Sequence, residues 1–142
     1  MTSDPFDLER FVAAQDGNGV YDDAVAELRR GHKSTHWMWF VFPQIVGLGH
    51  SPTARRFAVS SRSEAEAYLQ HPVLGPRLIE CAEILATTEG RSAEQIFGPV
   101  DVQKLRSSMT LFLRAAPAEP VFAAVLERYF GGTADPATDA RL

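Results

Sequence analysis

Apolar residues recur along most of the chain with the spacing of amphipathic helices. Tyr21, Ala24, Val25 and Leu28 stand at positions i, i+3, i+4 and i+7, on one face of a helix. Similar apolar faces occur in residues 78–85 and 121–129, and no hairpin turn signal separates them. The pattern predicts an all-α protein, a single compact domain of about eight or nine short helices over residues 1–142, with residues 1–4 as a short tail.

Start and stop residues divide this pattern into elements. Pro5 can open the first helix, and the serine and proline at positions 51 and 52 open a later one. Capping boxes, in which a serine is followed three residues later by Glu or Gln, occur at 63–66 and 92–95. Gly131 is expected to end the helix that contains residues 121–129.

The most apolar segment is residues 34–49, STHWMWFVFPQIVGLG, which contains both tryptophans. It is too short for a membrane span, which needs ~20 apolar residues. We expect a short helix that ends near Val41, because Phe42 precedes a proline and is disfavoured from helix. Residues 44–50 then form an irregular loop.

This segment is either part of the core or the wall of an aromatic binding pocket. Trp37 and Trp39 are two residues apart, so a helix cannot point both rings in the same direction. His36 and Gln44 place polar groups at the two ends of the apolar run, and buried polar groups need partners from the protein or from a ligand. Phe42 would complete the wall beside the two indoles.

Residues 101–116 are predicted to form the longest helix. One stripe is apolar (Val102, Leu105, Met109, Phe112 and Ala116), and the opposite stripe is more polar (Gln103, Ser107, Thr110 and Arg114). Lys104 and Ser108 lie one turn apart at the edge of the apolar stripe. Three hydroxyl residues within four positions are unusual in a helix interior. They would serve close helix packing, bond back to the preceding turn, or bind a ligand together with Lys104.

Composition narrows the functional classes. The net charge of −4 gives no general attraction to nucleic acids or anionic membranes. The main basic cluster, at residues 29–33, suits the C-terminal end of a helix, where cations are favourable. The single Cys81 cannot form an internal disulfide, and no signal peptide is evident, so we expect a cytoplasmic protein. The four histidines lack metal-ligand spacing and no phosphate-binding glycine motif occurs, so we expect no metal and no cofactor.

Four segments resemble one protein family. FDLERF at 6–11, HWMWFVFPQ at 36–44, HPVLG at 71–75 and KLRSSMTLF at 104–112 are similar to the domain of unknown function 1810 family. The resemblance extends from about residue 6 to the end of the chain. It implies a small, mostly bacterial, all-α domain without an established function, and it implies no catalytic residues. Some members carry the label calpastatin, which no feature of this sequence supports.

The sequence supports three functional hypotheses. The first is a protein that binds, and in one version also processes, a small anionic or nucleotide-like metabolite. Its predicted ligand-binding residues are Trp37, Trp39, Phe42, Gln44, Lys104, Ser107 and Ser108. His36 is the candidate general acid or base if a reaction occurs. The second is a protein-interaction module with an exposed aromatic patch. Nucleic-acid binding ranks third because of the acidic balance, and the sequence leaves the oligomeric state and any enzymatic activity open.

Overall fold

A computed structural model describes residues 3–142, so Met1 and Thr2 of the predicted tail lie outside the described residues. The helices are α1 (Glu9–Asp16), α2 (Val20–Arg30), α3 (Met38–Val41), α4 (Pro52–Arg56), α5 (Arg62–Gln70), α6 (Leu74–Thr87), α7 (Ala93–Ala115), α8 (Pro120–Phe130) and α9 (Pro136–Asp139). A 3-10 turn at Gly17–Gly19 joins α1 to α2. The all-α prediction is confirmed. Within residues 3–142, no helix has the length and apolar character needed to cross a membrane.

Helix α7 lies at the centre of the packing. It packs against α5, α8 and α9, while α6 packs against α5 and α8. Leu105, Met109, Leu111 and Phe112 of α7 are completely buried. The short α3 packs against α1, and Trp37, Met38, Val41 and Phe42 of the aromatic segment belong to the same buried core.

Two predicted helix starts are wrong and two are confirmed, one of them at Ser51 and Pro52, where α4 begins. Helix α1 begins at Glu9 rather than Pro5, because the Asp4 carboxylate accepts hydrogen bonds from the Leu8 and Glu9 amides at 2.8 and 3.0 Å. Helix α5 is capped by Ser61 instead of Ser63: Ser61 Oγ accepts from the amide nitrogen of residue 64 at 3.1 Å. The capping box at 92–95 is present as expected.

Helix α3 ends at Val41, as predicted from the following Phe42 and proline. The loop after it is not wholly irregular, because Ile45 forms an isolated parallel bridge with Val59. The amide of Val46 donates to the Val59 carbonyl and the amide of Val59 donates to the Gln44 carbonyl, both at 2.8 Å. This bridge joins the loop to the segment between α4 and α5.

The two hydroxyl residues of the polar stripe predicted on α7 are buried, whereas Gln103 of the same stripe is exposed. Ser107 is 7% exposed and Thr110 is fully buried, because α9 and the turn before it cover them. Thr110 Oγ1 donates to the Arg106 carbonyl at 2.8 Å and accepts from the Asp135 amide at 2.9 Å. The Ser107 hydroxyl lies 2.8 Å from Asp135 Oδ2. These two hydroxyls therefore bond back to their own helix or connect it to the cap of α9.

Helix α7 joins two predicted segments, the turn that follows the capping box at 92–95 and the long helix that starts at Asp101. It extends from Ala93 to Ala115, but Gly98 has φ 83° and ψ 168° and interrupts the helical backbone. A positive φ at this position is tolerated because glycine lacks a Cβ atom. The interruption separates the first turn from residues 101–115, the part that corresponds to the predicted long helix.

Candidate functional site

A buried carboxylate shapes the backbone that leads into the aromatic segment. Glu27 lies on the inner face of α2 and is 3% exposed. Its Oε1 accepts hydrogen bonds from the amides of Ser34 and Thr35, at 2.7 and 2.9 Å, and from Trp37 Nε1 at 3.0 Å. Its Oε2 accepts from Thr35 Oγ1 at 2.5 Å. One side chain thus fixes the turn at residues 34–37 and the orientation of the first indole.

These hydrogen bonds also set the protonation of Glu27. Burial alone would raise the pKa of this carboxyl group. The hydrogen bonds from Thr35 Oγ1, the Ser34 and Thr35 amides and Trp37 Nε1 outweigh burial and hold the pKa at about 2. Glu27 is consequently charged at neutral pH, and its carboxylate oxygens accept four hydrogen bonds from residues 34–37.

The two tryptophans occupy different environments, in agreement with their spacing. Trp37 is 1% exposed, and its ring packs against Phe42 and Phe97 with centroids 6.1 and 6.3 Å away. Trp39 is only half-buried. A Cβ atom at Gly49 would lie 2.6 Å from Trp39 Cη2, so the absence of a side chain there lets the loop pack directly on the indole edge.

A cleft of about 230 Å³ opens beside the second indole, and we call it the Trp39 cleft. It is lined by Lys33, His36, Trp37, Met38, Trp39, Phe40, Thr53, Asp101 and Lys104. The residues come from the segment before α3, from α3 itself, from α4 and from α7. A neighbouring hollow of about 250 Å³ shares Trp39 and is lined mostly by small or apolar residues of the loop after α3 and of α4.

Two lysines and one aspartate form the polar part of the Trp39 cleft. Asp101 Oδ2 lies 2.9 Å from Lys33 Nζ, and Asp101 Oδ1 lies 2.9 Å from Lys104 Nζ. Lys33 Nζ is 5.0 Å from the ring centroid of Trp37, and Lys104 Nζ is 5.0 Å from that of Trp39. Each ammonium group thus has a carboxylate partner and an aromatic ring within cation–π distance.

The charge balance of this cluster is positive. Burial would raise the pKa of Asp101, but hydrogen bonds and charge from Lys104 and Lys33 lower it overall, so the carboxylate is ionised at neutral pH. Two ammonium groups and one carboxylate leave one net positive charge in the cleft. The cleft therefore favours an anionic group at its polar end.

The structure places the predicted site residues in different environments. Four of them line the Trp39 cleft: His36, which is exposed at its rim, and Trp37, Trp39 and Lys104. The other four, among the described residues, do not line it. Phe42 and Ser108 are fully buried, Ser107 contacts Asp135, and Gln44 is 3% exposed. Within residues 3–142, neither Gln44 Nε2 nor Ser108 Oγ has a hydrogen-bond partner.

Sequence reasoning did not select Lys33, Thr53 or Asp101 as site residues. Lys33 belongs to the basic cluster expected at the end of α2, yet its amide donates to the Ile96 carbonyl at 2.8 Å, which draws it towards α7. Asp101 stands at the predicted start of the long helix, where an acidic residue is ordinary. Its position three residues before Lys104 is the spacing of a helical ion pair, and this was the available clue.

Comparisons with known proteins agree with the resemblance seen in the motifs. The family model described as "Protein of unknown function (DUF1810)" matches residues 5–142. A crystal structure of the conserved hypothetical protein Rv1873 from Mycobacterium tuberculosis is 57% identical, with a TM-score of 0.94 and coverage of 98% of each chain. The search of curated proteins returns no match. The chain belongs to the DUF1810 family of proteins of unknown function.

Proposed function

We propose that this protein binds a small anionic metabolite in the Trp39 cleft. One observation carries the proposal: Lys33 and Lys104 both form ion pairs with Asp101, and each ammonium group lies beside an indole ring. An incoming phosphate or carboxylate would accept hydrogen bonds from the two ammonium groups. Trp39, which is half-buried, offers a planar surface for a ring of the same ligand.

The size of the cleft limits the ligand. Its volume of about 230 Å³ lies below the range of roughly 300–1,000 Å³ that is typical of sites for drug-sized molecules. We therefore expect the cleft to enclose one ring or one sugar together with one anionic group. A nucleotide-like ligand would extend its remaining parts beyond the rim, where His36 is exposed.

The alternative, a protein-interaction module, requires an exposed aromatic patch. Trp37 is buried, and Trp39 and Phe40 are half-buried in the wall of a concave surface. Concave sites with converging polar groups suit small molecules, whereas protein interfaces generally bury large aromatic anchors on flatter surfaces. The geometry thus favours the small-molecule hypothesis.

Tryptophan fluorescence tests the proposal directly, because Trp37 and Trp39 are the only tryptophans. The protein is titrated with nucleoside monophosphates, sugar phosphates and ADP-ribose. We expect a saturable change with at least one compound, lost in Trp39→Phe and weakened about tenfold or more in Lys104→Ala, since a charge-assisted hydrogen bond contributes ~1.5–3 kcal/mol.

The matched control is Arg62→Ala, which removes one exposed cation from α5, outside the Trp39 cleft. This variant should bind like the original protein. Circular dichroism and a thermal melt establish that every variant is folded. A panel without any saturable response, or equal affinity in the Lys104 and Arg62 variants, would refute the proposed site.

A further inference from the structure

A second cationic surface lies apart from the Trp39 cleft, and we call it the arginine depression. Its cations are Arg29 and Arg30 at the end of α2, Arg91 in the loop after α6, and Arg128 on α8. Residues from three separate parts of the chain are therefore brought together here. The sequence had indicated only the first two as a basic cluster.

The arginine depression consists of two adjoining hollows. One has a volume of about 450 Å³ and contains Arg29, Arg30 and Arg91, and the other has about 330 Å³ and contains Arg91 and Arg128. Both hollows share Thr88, Glu89 and Arg91. The shared residues make the two hollows one continuous surface that carries four guanidinium groups.

The four guanidinium groups are exposed and largely uncommitted. Among the described residues none of them forms an ion pair, whereas Arg10, Arg77 and Arg114 elsewhere each pair with a carboxylate. Arg128 Nε donates to the Thr88 carbonyl at 2.6 Å, and Arg30 has a long contact of 3.3 Å with Ser34 Oγ. Most of their N–H groups remain available to a ligand.

Part of this clustering has a structural cause. Helices α2 and α6 both end here, and cations near helix C-termini are favourable. That effect explains why Arg128 donates to the Thr88 carbonyl. Because the helix dipole acts only within the last turn, it does not explain why four arginines share one concave surface. Glu89 is the only carboxylate among the residues that line the two hollows, so a net charge of three positive units remains.

We propose that the arginine depression binds a compact polyanion, namely a chain of linked phosphate groups. Guanidinium groups match phosphate oxygens through two parallel hydrogen bonds, and adjacent arginines can serve successive phosphates. The hydroxyls of Thr87 and Thr88 donate to carbonyls of their own helix, so the arginines are the donors that face the ligand. Ile84 is the only large apolar side chain in the lining, and a protein partner would need more apolar anchors than this.

The test uses inorganic pyrophosphate and tripolyphosphate as probes, with amide chemical shifts and calorimetry as readouts. We expect saturable binding that is tighter for tripolyphosphate and that weakens as salt is raised. The double variant Arg29→Gln with Arg91→Gln should bind at least tenfold more weakly. Its matched control, Arg55→Gln with Arg62→Gln, removes two exposed cations elsewhere and should bind as the original protein does.

Three results would overturn this proposal. They are no binding of either probe at low ionic strength, equal weakening in the two double variants, or binding of a hexaglutamate peptide at least as tight as that of tripolyphosphate, which would indicate an acidic polypeptide. Lys104→Ala separates this proposal from the previous one. It should leave tripolyphosphate binding intact, whatever happens to ligands of the Trp39 cleft.

Discussion

The Trp39 cleft and the arginine depression hold their cations in opposite ways. In the cleft, Lys33 and Lys104 share one carboxylate and each lies near an indole ring. In the depression, Glu89 is the only carboxylate among the lining residues, and it is outnumbered by four exposed arginines. Paired and half-buried cations are fixed in position before a ligand arrives, so the cleft selects by shape. Exposed and unpaired cations attract by charge, and salt screens that attraction.

The comparison also concerns stability. The walls of the Trp39 cleft depend on groups that hold the fold together, above all on Glu27, which lies behind the wall and fixes the turn at residues 34–37. The arginines of the depression lie on the surface at the ends of helices. The cleft should therefore be sensitive to substitutions that leave the depression unchanged, and the following predictions test this difference from the largest effect to the smallest.

Replacement of Glu27 by Gln should cause the greatest loss of stability. An amide cannot accept all four hydrogen bonds that the carboxylate receives, so some donors of residues 34–37 would lose their partner, and the indole N–H of Trp37 is buried. We expect a decrease of about 3 kcal/mol in the free energy of unfolding. Urea denaturation measures it, and Arg91→Gln is the contrast, expected to change stability by about 0.5 kcal/mol or less.

The same carboxyl group predicts a pH dependence. Its pKa is about 2 in the folded protein and near 4.5 when unperturbed, so its contribution is fully present above pH 4.5 and is lost as the pH falls towards 2. Unfolding free energies at pH 6, 4 and 3 should decline more steeply for the original protein than for Glu27→Gln. Parallel pH profiles would show that Glu27 does not carry this dependence.

Gly49→Ala should distort the Trp39 cleft with a smaller loss of stability. The new Cβ would lie 2.6 Å from both Trp39 Cη2 and the Ala54 side chain, so the ring or the loop must move. Overpacking of this kind costs about 1–3 kcal/mol. The thermal melt and the tryptophan emission should both shift. Gly17→Ala is the control, since no atom lies within 4 Å of its added Cβ, and an unshifted spectrum in Gly49→Ala would contradict the expected packing.

Asp101→Asn should have the mildest effect on the stability of the fold. Unlike the other substitutions, it should strengthen the binding of anions in the Trp39 cleft. Removal of the carboxylate breaks the ion pairs of both lysines, although Lys33 Nζ keeps its hydrogen bond to the Thr35 carbonyl. It raises the net charge of the Trp39 cleft from one to two positive units. Anionic ligands of the cleft should bind several-fold more tightly, which corresponds to about 1 kcal/mol. Protonation of Asp101 below its lowered pKa should act in the same direction in the original protein.

Fluorescence titration compares the affinities, and Asp139→Asn serves as the control, because its carboxylate pairs with Arg114 on another surface. Weaker binding in Asp101→Asn alone would indicate a ligand that donates a hydrogen bond to Asp101. The ligand would then use the carboxylate rather than compete with it, and the comparison with the arginine depression would need revision.

Local sequence rules predicted much of the fold but little of the site. Helix periodicity and the residues next to prolines gave the all-α class and the end of α3 at Val41. For the hydroxyls on the polar stripe of α7 the sequence leaves three interpretations open, because periodicity describes one helix alone. It contains no information that α9 would pack over Ser107 and Thr110.

The Trp39 cleft was predicted only in part for the same reason. The indoles are recognisable because they lie in the most apolar segment of the chain, and Lys104 because it is followed by three hydroxyl residues. Lys33 and Asp101 are ordinary residues in their own segments, and they gain a role only where the end of α2 meets the start of α7. A contact between residues 68 positions apart leaves no trace in local sequence patterns, and its detection requires the folded chain.

The distance along the chain between the walls of the cleft has a consequence for protein synthesis. The aromatic residues at positions 37–42 leave the ribosome before Asp101 and Lys104, which are made roughly 60 residues later. At a typical rate of about 5–20 residues per second, this interval lasts several seconds. Throughout that time both tryptophans and Phe42 lack the contacts that Phe97 and Lys104 of α7 will supply. Chaperones that bind exposed aromatic segments have a target in this interval, and fragments that stop before α7 are expected to aggregate.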